Sequence, residues 1–338
     1  MIDLRSDTVT KPSPAMLEAM MRAEVGDDVF GEDPSVLALE RKAADLLGAE
    51  EGIFCPSGTM TNQIGINVLS NPYEEIICYQ GAHIYRYEGG GIAGTSGLSF
   101  RLLEGNRGRL SAREIEENIN PEDIYYPKST VIELENTVNK SGGCYYTLNE
   151  IKRIYILAQQ HGLKMHLDGA RLFNALAETG EDPNDYGQYF DTISICLSKG
   201  LGAPVGSVLV GHKKWITKAR RVRKFMGGGM RQAGYLAAAG LYALENNIDR
   251  LKEDHIRAKA LGEVLSKCKF IKAVNPVDTN IVIGQLKEGI KMADILAQLK
   301  KKGLLAVPMS TMEIRFVTHL DFNDKNLTQA IKILKDFS

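Results

Sequence analysis

The sequence predicts an α/β protein: a mostly parallel central sheet covered by helices, followed by a smaller C-terminal α+β domain. Three observations carry this expectation. Short β-branched runs alternate with Pro-free helical patterns, and the gaps between them are helix-sized, which implies crossover connections and a parallel sheet covered on both faces. The alternation changes near residue 248. The length of 338 residues, with 44% hydrophobic and 25% charged residues, suits a soluble chain of two domains or one large one.

Along the chain, Ala15 to Ala23 and Val36 to Leu47 have the apolar spacing of helices. Ile53 to Cys55 reads as a short strand with a helix behind it from Thr59 to Leu69. Glu75 to Tyr79 and Thr130 to Leu134 are strands, the second followed by a turn bounded by Gly143 and a helix from Leu148 to Gln160. Leu163 to Leu167 is a strand, with a helix starting near Ala170. Thr192 to Leu197 and Val205 to Val210 are strands, and helices follow around Lys213 to Lys224 and Met230 to Leu244. Beyond them come helix Leu251 to Lys267, strand Ile281 to Ile283, helix Ala293 to Lys301, strand Glu313 to Val317 and helix Lys325 to Asp336. The expected division is a large domain over residues 1–248, including the N-terminal segment, and a small α+β domain over 249–338.

Forty-one Lys and Arg against 42 Asp and Glu give a net charge of −1, which argues against a protein whose main task is holding polyanions. No stretch approaches about 18 consecutive apolar residues, so no membrane span is expected. The opening Met1 to Pro14 has no apolar h-region, so it is not expected to act as a secretory signal. The five cysteines are scattered, odd in number and without a C-x-x-C pair. They read as buried free thiols in a cytoplasmic protein. The six histidines show no metal-ligand spacing, so no metal is expected.

The most informative segment is Ser198 to Gly206. Lys199 stands where a strand ends, and the glycines after it leave room for a flat ligand. That position is where ligands bind in α/β folds. A buried amine loses its charge readily and can then form a Schiff base with a carbonyl. In the run His166 to Arg171, the strand delivers Asp168 to its C-terminal end, where a carboxylate can pair with a protonated ring nitrogen or cap the next helix. Thirty-one residues separate Asp168 from Lys199, room for one helix and a return to a neighbouring strand. Between a strand and a helix, Pro56 to Met60 offers backbone N–H groups and hydroxyls to a phosphate. Gly227 to Gln232 opens another predicted helix and sets Arg231 beside flexible backbone, again suited to an anion.

Taken in order, these segments resemble the fold-type-I PLP enzymes and, within them, the low-specificity L-threonine aldolases. The resemblance starts at Leu4 to Thr10. It runs through Gly26 to Val29, Gly31 to Pro34, Ser57 to Met60, His83, Glu135 to Thr137, Asp168 to Arg171, Ser198 to Leu201 and Gly227 to Gln232, and ends at Ile314 and Arg315. It implies fold-type-I architecture and pyridoxal 5'-phosphate as cofactor. It implies that Lys199 carries the cofactor as a Schiff base, that Asp168 partners the pyridinium and that His83 stacks over the ring. Gly58 and Thr59 are implied phosphate binders, with Arg231 reaching in from a neighbouring subunit. Ser6, Arg171 and Arg315 are the implied carboxylate clamp, and Lys224 an implied neighbour of the substrate. The implied reaction is retro-aldol cleavage of L-threonine or L-allo-threonine to glycine and acetaldehyde, in a homotetramer of dimers with shared sites. The clamp sets which Cα bond stands perpendicular to the ring, and His83 or a water it holds takes the β-hydroxyl proton. β-Elimination, transamination, or a PLP-binding relative with lost turnover remain alternatives.

Three positions depart from the resemblance. Tyr125 and Val138 stand where the family commonly has histidines, and Phe30 where it has tyrosine. Tyr125 and Val138 are therefore expected to remove imidazoles near the β-hydroxyl. A neutral phenol, with its pKa near ~10, is a poorer base at neutral pH. Two other patterns carry little. Gly89 to Gly94 fits G-x-G-x-x-G but lacks the following acidic residue that a dinucleotide site needs. His212 to Arg231 has eight Lys or Arg and no acid, which reads as a solvated or subunit-facing helix rather than a nucleic-acid site.

Overall fold

The computed structural model describes residues 1–337. The chain opens with a two-residue strand, β1 (Ile2–Asp3). Ser13 caps α1 (Pro14–Met21) and Asp33 caps α2 (Pro34–Leu46), each with proline at the helix start, where a missing amide costs nothing. Next come β2 (Glu51–Cys55), α3 (Gly58–Leu69), β3 (Glu75–Tyr79), the short helices α4 (His83–Arg86) and α5 (Gly91–Ser96), β4 (Ser99–Leu103), α6 (Ala112–Glu116) and β5 (Ser129–Glu135). α7 (Leu148–His161) begins with a reciprocal cap between Thr147 and Glu150 and stops at Gly162, whose left-handed backbone favours glycine. Such a cap contributes about 1 kcal/mol. Then follow β6 (Lys164–Gly169), α8 (Leu172–Thr179), β7 (Thr192–Cys196), β8 (Ser207–Gly211), α9 (Lys213–Phe225) and α10 (Gly234–Asn246).

Strands β2 to β8 form one seven-stranded sheet in the order β2-β8-β7-β6-β5-β3-β4. From β7 to β4 neighbours are parallel, while β8 is antiparallel to both β7 and β2. Residues of β7 and β8 are buried throughout, as strands covered on both faces require. One face packs Ile77, Ile132, Leu134 and Ile193 against α1, α2, α7, α8 and α10. The other packs Ile76, Cys78, Val131 and Leu209 against α3 and α9.

The remaining chain holds α11 (Leu251–Leu265), β9 (Ile271–Val274), β10 (Ile281–Leu286), α12 (Met292–Lys301), β11 (Leu304–Leu305), β12 (Val307–Pro308), β13 (Glu313–Val317) and α13 (Asp324–Lys335). An antiparallel sheet of order β12-β13-β10-β9 packs on α11 and α13 around its own apolar cluster. The N-terminal segment departs from the expected division at residue 248. β1 pairs in parallel with β11, and Ile2 and Leu4 are buried in the cluster of this C-terminal unit. Burial of two large apolar side chains outweighs proximity along the chain. The helix expected from Met230 begins at Gly234, so Arg231 lies in the preceding turn. Among the described residues, no helix is long and apolar enough to cross a membrane.

Candidate active site

Register brings three polar side chains into one row at the C-terminal ends of the parallel strands. Glu135 of β5 pairs with Asp168 of β6, and Asp168 with Ser194 of β7. α3 lies over this row. Thr61 shares a 2.7 Å hydrogen bond with Ser194, and the Asn62 amide donates to Asp168 at 2.9 Å. Asp168 also accepts from the Ala170 amide at 3.1 Å, the local bond of a helix-entry aspartate. Its further acceptor capacity stays open for a donor from the cleft.

Just past β7, half-buried Lys199 enters a cleft of about 360 Å³, lined also by Ser6, His83, Tyr87, Asn139, Arg171, Met309 and Arg315. That volume suits a small ligand. Six separate segments meet there: the N-terminal strand exit, the start of α4, the turns after β5, β6 and β7, and strand β13. Gly58 sets how closely α3 approaches. A Cβ there would stand 2.6 Å from Cys196 Sγ at the end of β7, so only glycine permits this contact. Ser57 caps the helix through the Met60 amide at 3.2 Å. The first-turn N–H groups, those of Gly58 and Thr59 included, form the electropositive end of a twelve-residue helix.

The cleft's charge balance favours an anion. Arg171 is bound by Asp7 through two hydrogen bonds of 2.7 Å, both side chains being buried. Burial alone would raise the Asp7 carboxyl, but the Arg171 guanidinium holds it well below the usual carboxylate range. Arg315 has no such carboxylate. It donates to Asn139 Oδ1 at 3.0 Å and to the Arg5 carbonyl at 3.1 Å, and its Nε is buried without a partner. Burial, then the neighbouring Arg171 charge, lowers the pKa of Arg315. A carboxylate in the cleft would relieve both penalties.

His83 opens α4 with its Nδ1 3.0 Å from Glu88 Oε1 and its backbone amide donating to Glu135 at 3.3 Å. Burial would lower the imidazole pKa. The hydrogen bond to Glu88 and the Asp168 charge outweigh it, so the net shift is upward. Glu135 is pushed up to about 7 by burial and by Asp168 beside it. The donor atoms of His83, Glu88 and Asp168 lie within 4.8 Å of one another, but their hydrogen bonds to one another and to Asn62 account for them, and we assign no metal there.

The other expected site residues lie elsewhere. Arg231 pairs with Asp27 at 2.8 Å and lies over the Phe30 ring. Lys224 lines a separate cavity beside Phe30 and Arg220. Tyr125 is 86% exposed in the loop before β5. Val138 is fully buried in the main core and bridges Cys144, outside the lining of the cleft that its neighbour Asn139 joins. Gly89 to Gly94 follows α4 and leads into α5 with no strand before it, as a dinucleotide site would need. Lys214 and Lys218 of the basic run lie over the Trp215 ring. Sequence reasoning did not single out Asp7, Asn62, Glu88 and Asn139. All four lie within five residues of a singled-out residue, Asn62 three residues after Thr59 on the same helix.

A strand-end lysine, a buried carboxylate behind it and a paired-arginine anion pocket define an α/β enzyme that handles amino acids through a carbonyl-bearing cofactor. The beta-eliminating lyase family matches residues 3–289. The chain is 43% identical to a probable low-specificity L-threonine aldolase 2 of Arabidopsis thaliana, over 98% of this chain and 95% of that one. It is 42% identical to the low specificity L-threonine aldolase of Escherichia coli K12, over 98% and 97%. Among solved structures, a Leishmania major threonine aldolase superposes with a TM-score of 0.86 at 23% identity over 99% of both chains. A Sphingomonas wittichii serine palmitoyltransferase superposes at 0.78 and 17% identity, over 99% of this chain and 86% of that one, the fold alone being shared. The chain belongs to the beta-eliminating lyase family, among the low-specificity L-threonine aldolases.

Proposed function

We propose that this protein cleaves L-threonine and L-allo-threonine to glycine and acetaldehyde with pyridoxal 5'-phosphate as cofactor. The observation that carries the reading is the meeting of Lys199, His83, Arg171 and Arg315 in one cleft, with Asp168 buried behind His83. The bound cofactor supplies an electron sink for a bond at the amino acid's α-carbon. Lys199 offers the amine that holds it, Asp168 the acceptor for its ring nitrogen, and the start of α3 at Gly58 and Thr59 the donors for its phosphate. Arg315 and Arg171, with Ser6 beside them, hold the substrate carboxylate. By fixing it they select which α-carbon bond is oriented to break. His83, directly or through a water it holds, takes the proton of the β-hydroxyl.

The proposal includes a homotetramer of dimers with shared sites, in the cytoplasm. Arg231, Lys224 and Tyr125 support the assembly, since all three lie outside the cleft of their own chain. Five buried free cysteines support a reducing compartment. The test is product analysis on the purified protein with either diastereomer. Acetaldehyde and glycine in equal amounts are expected. Ammonia with a keto acid would overturn the reading in favour of elimination or transamination.

A further inference from the structure

Glu88 is buried and has three side-chain contacts, every one a nitrogen group. His83 Nδ1 lies at 3.0 Å, Asn62 Nδ2 donates at 2.9 Å and Gln63 Nε2 donates at 2.7 Å. The same Asn62 Nδ2 donates to Asp168 at 2.9 Å. The two carboxyls fix the amide's orientation, and its other end matches. His166 Nε2 lies 3.1 Å from Asn62 Oδ1, and His166 Nδ1 lies 2.9 Å from Thr192 Oγ1. Burial pushes His166 down to about 4, so its ring is neutral. Its Nε2–H then donates to Asn62 and its Nδ1 accepts from Thr192. Asn62 therefore presents its NH₂ to the two carboxyls and cannot flip without losing both bonds.

Against an acceptor so surrounded by donors, the His83 nitrogen that meets Glu88 carries the proton. His83 Nε2 has no hydrogen-bond partner among the described residues, and the ring lines the cleft. We propose that Glu88 is a positioning residue for the cleavage: it holds His83 with Nδ1–H toward itself and Nε2 free toward the substrate, and Asn62 ties this arrangement to the Asp168 carboxyl. The proposal rests on the threonine-cleaving reading for its kinetic consequence, but not for the ring state it assigns. The other titratable groups near His83 are Asp168, Lys199, Glu135 and Tyr87, with Arg171 and Arg315 across the cleft. None of these hydrogen-bonds the ring; Glu88 does.

The test uses the cofactor-loaded full chain labelled with ¹⁵N-histidine, the His83 signals being assigned by their loss in His83→Asn. The neutral wild-type ring is expected to carry its proton on Nδ1. In Glu88→Gln the ring's pKa is expected to fall by about one unit. The acid limb of kcat/KM for threonine moves down with it, and plateau kcat falls roughly 3- to 10-fold as the base weakens. KM stays within about twofold, because Arg171 and Arg315 are untouched. Glu88→Asp restores the limb toward its wild-type position. A neutral wild-type ring with its proton on Nε2 overturns the proposal, as does Glu88→Gln with an unmoved limb and kcat within about twofold of wild type. If Glu88→Gln does not fold, the wild-type tautomer and Glu88→Asp decide. Failure of the wild type to release acetaldehyde overturns the functional reading alone, since the ring state is read without turnover.

Discussion

Asp7 grips Arg171 with two 2.7 Å hydrogen bonds in a fully buried pair, although 164 residues separate them along the chain. The pair fixes the guanidinium plane that forms one wall of the cleft. Removing one partner strands a buried charge. Asp7→Asn is therefore expected to cost about 3–5 kcal/mol at pH 7, measured by urea unfolding. The native carboxyl is held below its unfolded value of 3.8. Its contribution is thus present above about pH 4 and is lost as pH falls toward the native value, so the gap between wild type and variant should close in acid. A loss under about 1 kcal/mol at pH 7 would contradict this reading.

Arg315 carries the opposite expectation. Its Nε is buried without a partner and its side chain stands beside Arg171, so it stores unmet demand for an anion rather than stability. Arg315→Lys keeps the charge but loses the planar fork. KM for threonine should rise roughly tenfold or more, with the unfolding midpoint unchanged. An unchanged KM would remove Arg315 from the clamp.

Glu133 of β5 is fully buried, and neither carboxyl oxygen has a partner. Burial, then the Asp168, Glu135 and Glu88 charges, pushes its pKa well above the ordinary 4.5. The unfolded chain gives up this proton above about pH 4.5 while the native one keeps it, so the group costs stability as pH rises from there toward its native pKa. Glu133→Met should raise stability by about 1 kcal/mol or more at pH 8. The gain should be smaller at pH 4, as read from melting curves at both values. A gain that does not grow with pH would contradict this account.

The shared-site assembly predicts a solution mass of four chains of 37.2 kDa by light scattering. It also predicts that Arg231→Ala weakens cofactor retention at least about tenfold through the neighbouring copy's phosphate site. A fully active monomer would contradict it.

Much of the fold was legible in the sequence, and the exceptions have physical causes. β3 and β13 have the expected bounds because turn residues punctuate apolar runs on both sides. β4 gave no signal: Ser-Phe-Arg-Leu-Leu at the sheet edge is only partly buried and does not alternate cleanly. β8 was expected as a strand without a direction. The connection from Leu197 to Gly206 contains no helix, and parallel strands need a longer crossover. The pairing of β1 with β11 joins segments some 300 residues apart and leaves no local trace. At the site, Lys199, Asp168, His83, Arg171 and Arg315 could be singled out because motifs surround them. Asn139 could not. Its role comes from a single oxygen that accepts from Arg171 at 3.4 Å and from Arg315 at 3.0 Å, a meeting only the fold creates.

The most direct test of the account is chemical. The purified protein, supplied with pyridoxal 5'-phosphate, is reduced with borohydride and its peptides are mapped. The account predicts a single covalent pyridoxyl label on the Lys199 amine, absent from Lys199→Ala. A label on another lysine, or none on protein saturated with the aldehyde, would contradict it.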